Sequence, residues 1–293
     1  MFKGPLKGYT NITEGNMRRI LDGPSGVLLL LFLLTNAGTA QPIWVNYGPQ
    51  KTISLEILKP DLDSPSELTL PSTATIGHIR WPLNESFFLV GEFAFAYGKG
   101  DFPGADGKVK IGNPYLGFDF RPAKALNLEF GVRLPLVSTP NIATFVGQFS
   151  DSDRFEAFMH DILMFGGAAG YRLQPDNSNL YLRLRGGTSL FFQIQDRTDA
   201  QGRKLSNAEW FFLGNLIGGY ESERLRVEAG FTGRLVFTGD GLPGARSFAQ
   251  VGGALSYLFG SVRPGIHIRL PLDEDLRETI DLVVGLTLEC YFD

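Results

Sequence analysis

The chain has 293 residues, with 27 basic and 31 acidic side chains, and its mean hydropathy is -0.00. This near-neutral charge gives no electrostatic reason to expect nucleic-acid binding, and after residue 40 no apolar run is long enough for a transmembrane helix. The 36 glycines and 24 phenylalanines instead indicate many strands that carry an aromatic belt.

A targeting segment is predicted near the start of the chain. Arg18 and Arg19 form a positive region, 27–34 is a short apolar run, and small residues lead up to Ala40. This order predicts a secretory signal peptide that is cleaved after Ala40. The apolar run is too short for a transmembrane helix, which needs about 20 residues.

The chain is therefore expected to have three parts. Residues 1–16 are polar and lack periodicity, and we interpret them as a non-native N-terminal extension. The signal peptide covers 17–40, and the mature protein, a transmembrane β-barrel, covers 41–293.

Period-two alternation of side chains recurs through the mature chain and predicts β-strands. Twelve segments follow this pattern, an even number of the kind that closed bacterial barrels have. The predicted strands cover 51–58, 73–83, 86–97, 112–121, 125–136, 161–173, 179–193, 208–221, 224–237, 247–259, 261–271 and 277–292.

Connections of two lengths alternate between these strands. The short, polar and turn-rich ones lie at 83–86, 121–124, 174–178, 221–223 and 259–261. The longer ones lie at 59–72, 98–111, 137–160, 194–207 and 238–246, followed by a shorter one at 272–276. Outer-membrane barrels have short periplasmic turns and long outer loops. The pattern thus predicts an all-β protein, an antiparallel transmembrane barrel of about 12 strands in the bacterial outer membrane; a secreted soluble β-protein is the less favoured alternative.

The last predicted strand shows the alternation most clearly, with apolar residues at every second position from Ile280 to Phe292. An aromatic residue next to the chain end is where outer-membrane barrels carry their assembly signal. The predicted signal for the barrel-assembly machinery comprises Gly285, Leu288, Cys290 and Phe292. Cys290 is the single cysteine, so an intramolecular disulfide is excluded.

Charged residues alternate with apolar ones in several strands, which predicts a wet interior. An arginine on the lipid face at the bilayer midplane costs about 2–4 kcal/mol, so these charges are expected to face inward. The candidate lumen-lining residues are Glu129, Arg133, Arg183, Arg185, Arg226, Glu228, Arg234, His267, Arg269, Asp281 and Glu289. The set leans slightly positive and favours anionic or polar solutes.

No catalytic, cofactor or metal site is predicted. The candidate residues for a hydrolase are His78, His160 and His267. None has the His-x-Ser-Asn-Gly context of a barrel lipid hydrolase; we expect lumen hydrogen bonds for the first and third and a loop contact for the second. The acidic residues Asp151, Asp153 and Asp161 match no calcium-loop spacing, and a solvated acidic rim is favoured.

The long connection 137–160 is predicted to narrow the passage. Residues 142–146 are apolar, and 151–158 could form a capped helical turn. We expect this loop to pack across the outer mouth of the barrel.

Three stretches carry a resemblance to a known family: 98–101, 111–121, and Gly-Val-Arg-Leu-Pro at 131–135. They resemble the outer-membrane channels of the meta-pathway phenol-degradation type, distant relatives of the long-chain fatty-acid transporter barrels. The resemblance implies a passage for small, often hydrophobic molecules and brings no catalytic residues.

The predicted function is an outer-membrane channel or uptake pore for small molecules by passive diffusion. Its expected partners are outer-membrane lipid, the barrel-assembly machinery and a small-molecule solute, and nucleic acid is not among them. A non-conducting structural or surface-interaction barrel with a packed interior is the alternative. The lumen charges favour anionic or polar solutes, whereas the resemblance implies hydrophobic ones, and the sequence leaves both open.

Overall fold

The structure of the protein is a computed structural model that describes residues 50–62, 72–100, 107–194, 207–237 and 247–292. The predicted extension 1–16 and signal peptide 17–40 lie outside the described residues.

The fold is a closed antiparallel β-barrel of twelve strand positions with one additional short strand. The strands are β1 (Lys51–Asp61), β2 (Thr73–Pro82), β3 (Phe87–Gly98), β4 (Lys108–Ile111), β5 (Tyr115–Ala123), β6 (Leu126–Arg133), β7 (Ile162–Leu173), β8 (Leu180–Gln193), β9 (Ala208–Glu221), β10 (Leu225–Val236), β11 (Phe248–Tyr257), β12 (Val262–Pro271) and β13 (Leu282–Phe292). Neighbouring strands pair antiparallel, and β1 pairs with β13 to close the barrel. The predicted fold class is confirmed.

The additional strand arises because one strand position is interrupted. Both β4 and β5 pair with β3, β4 opposite its last residues and β5 opposite its first half. Gly112, Asn113 and Pro114 separate them, and proline has no backbone N–H to continue a ladder. The sequence predicted an unbroken strand from residue 112, so this break is a difference from the prediction.

Alternation along the strands places apolar residues on the outer surface, whereas the inner surface holds most of the charged residues together with buried apolar ones. In β1, Ile53, Leu55 and Ile57 are 39–41% exposed, whereas Ser54 and Glu56 between them are buried. The same pattern holds on the other strands, for example at Phe93, Phe118, Phe130, Leu184, Phe231, Ile268 and Leu286. An exposed apolar belt of this extent marks a surface that lipid solvates. The protein is a transmembrane β-barrel.

The two ends of the barrel differ in the length of their connections. One end, the turn end, holds the connections 83–86, 124–125, 174–179, 222–224 and 258–261 together with the first and last barrel residues. The opposite end, the loop end, holds the long connections. Exposed aromatic residues cluster near both, and those near the turn end include Trp81, Phe87, Tyr171, Tyr220, Phe259 and Phe292.

Within the described ranges, helical structure lies in two loops at the loop end. In the loop 134–161 lie helix α1 (Ile142–Ser150) and a 3₁₀ segment (Ser152–Ala157), and α2 (Glu274–Arg277) lies between β12 and β13. None of the helices in the described ranges is long and apolar enough to span a membrane.

The predicted start of the last strand, residue 277, is wrong, because α2 ends at that residue and a turn follows before β13 begins at Leu282. The side chain of Asp273 accepts the backbone N–H of Leu276 at 3.0 Å and begins this helix. Ile280 then packs, 1% exposed, in an apolar cluster with Leu58 instead of facing lipid. Asp281 also differs from its predicted lumen position: it precedes β13 and is exposed at the loop end.

Candidate functional site

The connection 134–161, which we call the inner loop, folds into the loop-end half of the barrel. Its helix α1 begins at Asn141, whose side chain accepts the N–H of Thr144 at 3.0 Å, while Asn141 N–H donates to Thr144 Oγ1. The helix lies close to β3: a Cβ atom at Gly98 would be 2.8 Å from the backbone of Ile142 and Ala143. Only glycine therefore admits α1 at this distance.

One buried amide in the strand break ties both ends of the inner loop to the wall. Asn113 Oδ1 accepts the N–H groups of Leu136 and Val137, each at 2.8 Å. Its Nδ2 donates to the carbonyl oxygens of Glu156 and Met159 at 3.0 and 2.6 Å. The side chain thus uses both its donors and its acceptor capacity. The interruption between β4 and β5 positions the loop.

A buried arginine connects the inner loop to the wall on the side of β1 and β3. Arg154, 1% exposed, donates to Glu92 at 3.2 Å and Asp151 at 2.6 Å and forms a close ion pair with Glu56. Although burial lowers the pKa of Arg154, the charges of Asp151, Glu56 and Glu92 raise it well above its usual value. The guanidinium is therefore held charged by three carboxylates.

The same carboxylates also bind an arginine of β12. Arg269 Nη2 donates to Glu56 Oε1 at 2.6 Å, and Arg269 Nη1 lies 2.8 Å from Asp151 Oδ1. His267 Nε2 is 3.3 Å from the same oxygen of Glu56. Two arginines share two carboxylates in this network, so each charged group has partners on both the loop and the wall.

On the opposite wall, β10 and β11 hold the 3₁₀ segment. Arg234 Nη2 donates to Glu156 Oε2 at 3.0 Å and to the carbonyl oxygen of Asp153 at 2.6 Å. Thr232 Oγ1 donates to Asp153 Oδ1 at 3.0 Å, and Gln250 donates to Oδ2. The inner loop thus reaches from β1 and β3 across to β10 and β11.

The part of the inner loop that crosses the lumen is buried. Residues 150–154 are each no more than 7% exposed. The side chains of this segment, which lies inside the barrel, are therefore shielded from water. The sequence predicted packing across the outer mouth; the structure puts the loop deeper, inside the barrel.

The turn-end half of the lumen contains a second ionic network. Glu221 lies 2.8 Å from both Arg172 and Arg226 and 3.3 Å from Arg263. Arg226 is also 3.4 Å from Glu289. Three arginines from three strands therefore meet at one carboxylate.

The water-accessible charge in this half is mostly arginine. The side chains of Arg121, Arg172, Arg183 and Arg185 are 19, 23, 15 and 12% exposed. Among the carboxylates that pair with them in the described part of the chain, Glu221 is 21% exposed, whereas Asp119, Glu129 and Glu228 are fully buried. Solutes in this half would therefore meet a predominantly positive surface.

The structure brings most of the predicted lining residues together inside the barrel. The residues on the inner face are Glu129, Arg133, Arg183, Arg185, Arg226, Glu228, Arg234, His267, Arg269 and Glu289. Asp281 is the exception described above. Their role in conduction stays a prediction.

The predicted assembly signal lies on both faces of β13. Leu288 and Phe292 are exposed on the outer surface. Gly285 faces inward, where an added Cβ atom would overlap the ring of His267. Cys290 is partly buried. The role of these residues in assembly stays a prediction.

Sequence reasoning missed the residues that hold the inner loop: Glu56, Glu92, Asn113, Asp151, Asp153, Arg154 and Glu156. Glu56 and Glu92 do alternate with apolar neighbours in their strands, which is the signal used for the other lining residues. The loop residues carry no such periodicity. The expected solvated acidic rim does not hold for Asp151 and Asp153, which are 1 and 7% exposed.

Comparison with solved structures supports the fold. The COG4313 outer membrane channel from Pseudomonas putida F1 matches with a TM-score of 0.59 and 12% identity, over 87% of this chain and 100% of that one. The translocator domain of the autotransporter NalP from Neisseria meningitidis matches with a TM-score of 0.54 and 11% identity, over 85% of this chain and 91% of that one. Sequence comparison finds no matching protein family and no matching curated protein. The predicted resemblance to outer-membrane channels is confirmed at the level of the fold.

The charge balance around Arg154 can be tested by removing its cation. In Arg154→Met the buried carboxylates of Glu56, Glu92 and Asp151 lose a shared partner, which costs about 3–5 kcal/mol for a buried ion pair. We expect amide hydrogen–deuterium exchange in 142–158 to become about 100-fold faster or more.

The matched control is Arg277→Met, which removes an exposed arginine of α2. Exchange in 142–158 should be unchanged in this control. Equal exchange rates in wild type and Arg154→Met would mean that the ion pairs of Arg154 do not hold the loop.

Two neighbouring carboxyl groups of the inner loop have opposite pKa shifts. Burial, followed by the charge of Asp151, raises the pKa of Asp153 to about 6. Although burial opposes the change, Arg154 and Arg269 lower the pKa of Asp151 to about 2. Of these two carboxyl groups, Asp153 is therefore the one whose pKa lies closer to neutral pH while the loop is docked.

We expect the inner loop to dock more tightly at mildly acidic pH. The usual pKa of an aspartate is 3.8, whereas that of docked Asp153 is about 6, so the docked loop takes up a proton as pH falls. From pH 7.5 to pH 5 this favours docking by about 1.4 kcal/mol, or roughly tenfold. The stabilising charge of Asp151 is lost only below its usual pKa of 3.8.

Hydrogen exchange of 142–158 in wild type and Asp153→Asn measures this effect. The ratio of the two proteins' rates at each pH cancels the chemical pH dependence of exchange. The wild-type rate should fall relative to that of Asp153→Asn as pH decreases to 5. A constant ratio would contradict the role of Asp153.

Proposed function

We propose that this protein is an outer-membrane channel or uptake pore for small molecules, gated by its inner loop. Export through a cleaved signal peptide would deliver the chain to the periplasm, and the barrel would insert with its turn end facing that side. The apolar belt and the segregated loop lengths support this placement. The barrel-assembly machinery would insert it, with lipid around the belt.

The observation that carries the proposal is that the inner loop lies inside the loop-end half of the bore. A barrel of about eight strands is just filled by its own side chains, whereas a wider one encloses free space. Here the twelve strand positions leave room for α1 and the 3₁₀ segment. If the inner loop moved out, a passage would open along the wall.

The contacts that hold the inner loop are of a kind that can be reversed. Most of the groups that join it to β10–β12 are charged or hydrogen-bonding, and they retain the same chemistry in water. A barrel built for rigidity alone would gain more from apolar filling than from buried ion pairs. The solved fold relative described as an outer membrane channel also supports this function.

Replacing 142–158 by a short Gly/Ser linker tests the gate. We expect this variant to conduct in planar bilayers with several-fold longer or larger openings than the wild type, because the bore is no longer spanned. Heat-modifiable gel mobility would show that the barrel still closes. A variant that folds but does not conduct would support the alternative, a non-conducting structural barrel.

The turn-end arginines are proposed to set the charge preference of the channel. Neutralising both Arg183 and Arg185 leaves the carboxylates of Glu129 and Glu228 less compensated inside the lumen. In the linker variant, we expect the anion-to-cation permeability ratio from reversal potentials to be roughly halved or lower.

Arg224→Gln is the matched control for this measurement. This arginine lies exposed in the turn 222–224, outside the lumen, and its loss should leave the ratio unchanged. An unchanged ratio in Arg183→Gln/Arg185→Gln would exclude these two side chains as selectivity determinants.

A further inference from the structure

Aromatic rings surround one buried arginine of the inner wall. The guanidinium carbon of Arg234 lies 5.4 Å from the ring centre of Phe211, 6.0 Å from that of Phe191 and 5.8 Å from that of Phe248. All three rings belong to barrel strands. We call these four residues the aromatic box; it combines flat apolar walls with a fixed cation.

The inner loop places a fourth ring in this box. Phe155 packs edge-on against Phe191 and Phe211, with ring centres 5.9 and 6.1 Å apart. Its ring centre is 4.3 Å from the guanidinium carbon of Arg234. The next residue, Glu156, brings a carboxylate to the same guanidinium at 3.0 Å. Two adjacent loop residues thus supply an aromatic ring and a carboxylate side by side.

The loop residues Phe155 and Glu156 leave part of the hydrogen-bonding capacity of Arg234 unused. Arg234 is 1% exposed, yet its Nε and Nη1 atoms have no hydrogen-bond partner among the described residues. Oε1 of Glu156 has none either within the same part of the chain. A carboxylate that meets a guanidinium in the preferred geometry takes two parallel N–H groups, whereas Glu156 takes one. Free carboxylates, which no backbone restrains, can satisfy both.

We propose that the aromatic box is a binding site for a small aromatic carboxylate and that Phe155 and Glu156 occupy it as a built-in competitor. The ring of the solute would take the place of Phe155 against Phe191 and Phe211, and its carboxylate would pair with two N–H groups of Arg234. The inference deepens the proposed channel function and rests on it, because the solute reaches the box through the bore.

Competition for the box connects binding to gating. A solute that binds only when the 3₁₀ segment has left the box stabilises the undocked loop by mass action. The channel would therefore open in response to its own solute. Rings without charge, and carboxylates without a ring, each make only half of these contacts and should act more weakly.

The test measures binding of three probes to the mature protein in detergent by calorimetry: benzoate, cyclohexanecarboxylate and benzyl alcohol. In Phe155→Ala/Glu156→Gln the competitor is removed, and we expect benzoate to bind at least about tenfold tighter than to wild type. The two other probes should bind this variant more weakly than benzoate. Adding Arg234→Gln should abolish the gain.

The matched control is Phe145→Ala, which removes a phenylalanine of α1 that stacks on Phe149, away from the box. It should bind benzoate as the wild type does. If the double variant fails to close the barrel, as judged by gel mobility, Phe155→Leu keeps the apolar volume without the ring and gives the same comparison.

The proposal is overturned if benzoate binds the double variant no tighter than wild type, if Arg234→Gln does not reduce the binding, or if benzyl alcohol binds equally well. Conductance of the double variant and of the linker variant is recorded without any probe. Conduction without benzoate binding would contradict the proposed binding site and would still support the channel function. Benzoate binding without conduction in either variant would retain the site and remove the channel function.

Discussion

The position of the inner loop depends on the charge balance around Arg154. A guanidinium inside a barrel must be matched by carboxylates, and those it meets come from β1, β3 and its own loop. Since Glu56 and Asp151 also bind Arg269, no member of the network can leave without exposing the charge of another. The docked position of the inner loop is thus held by electrostatic contacts that the apolar contacts of α1 supplement.

Most of the barrel was predictable because its signals are local. Alternation of apolar and polar side chains along a strand indicates which residues face outward and which face inward. The length of each connection indicates at which end of the barrel it lies. The inner loop was not predictable to the same degree, because its partners are distant along the chain. Arg154 is separated by 98 residues from Glu56 and by 62 from Glu92. No periodicity within 137–160 could indicate those contacts.

Two further differences have local causes. The strand expected from residue 112 is interrupted because Asn113 turns inward to bind the loop, and only the tertiary contacts reveal this. The last strand begins later than expected because Asp273 begins a helical turn that alternation alone does not detect. The sequence left solute chemistry divided between anions and hydrophobic molecules. An aromatic carboxylate is both anionic and hydrophobic. The aromatic box offers the guanidinium of Arg234 to its charge and the phenylalanine rings to its apolar ring.

The amide of Asn113 has a mechanical consequence. It hydrogen-bonds residues 136 and 137 at one end of the inner loop and residues 156 and 159 at the other, so the two ends of the intervening segment are held close together. When this segment leaves its position in the barrel, it gains little chain entropy, because its ends remain fixed. It also stays at a high effective concentration beside the wall residues that it contacts when docked. The inner loop should then return to its docked position rapidly. Any opening would therefore last only as long as another molecule occupies the position of the loop.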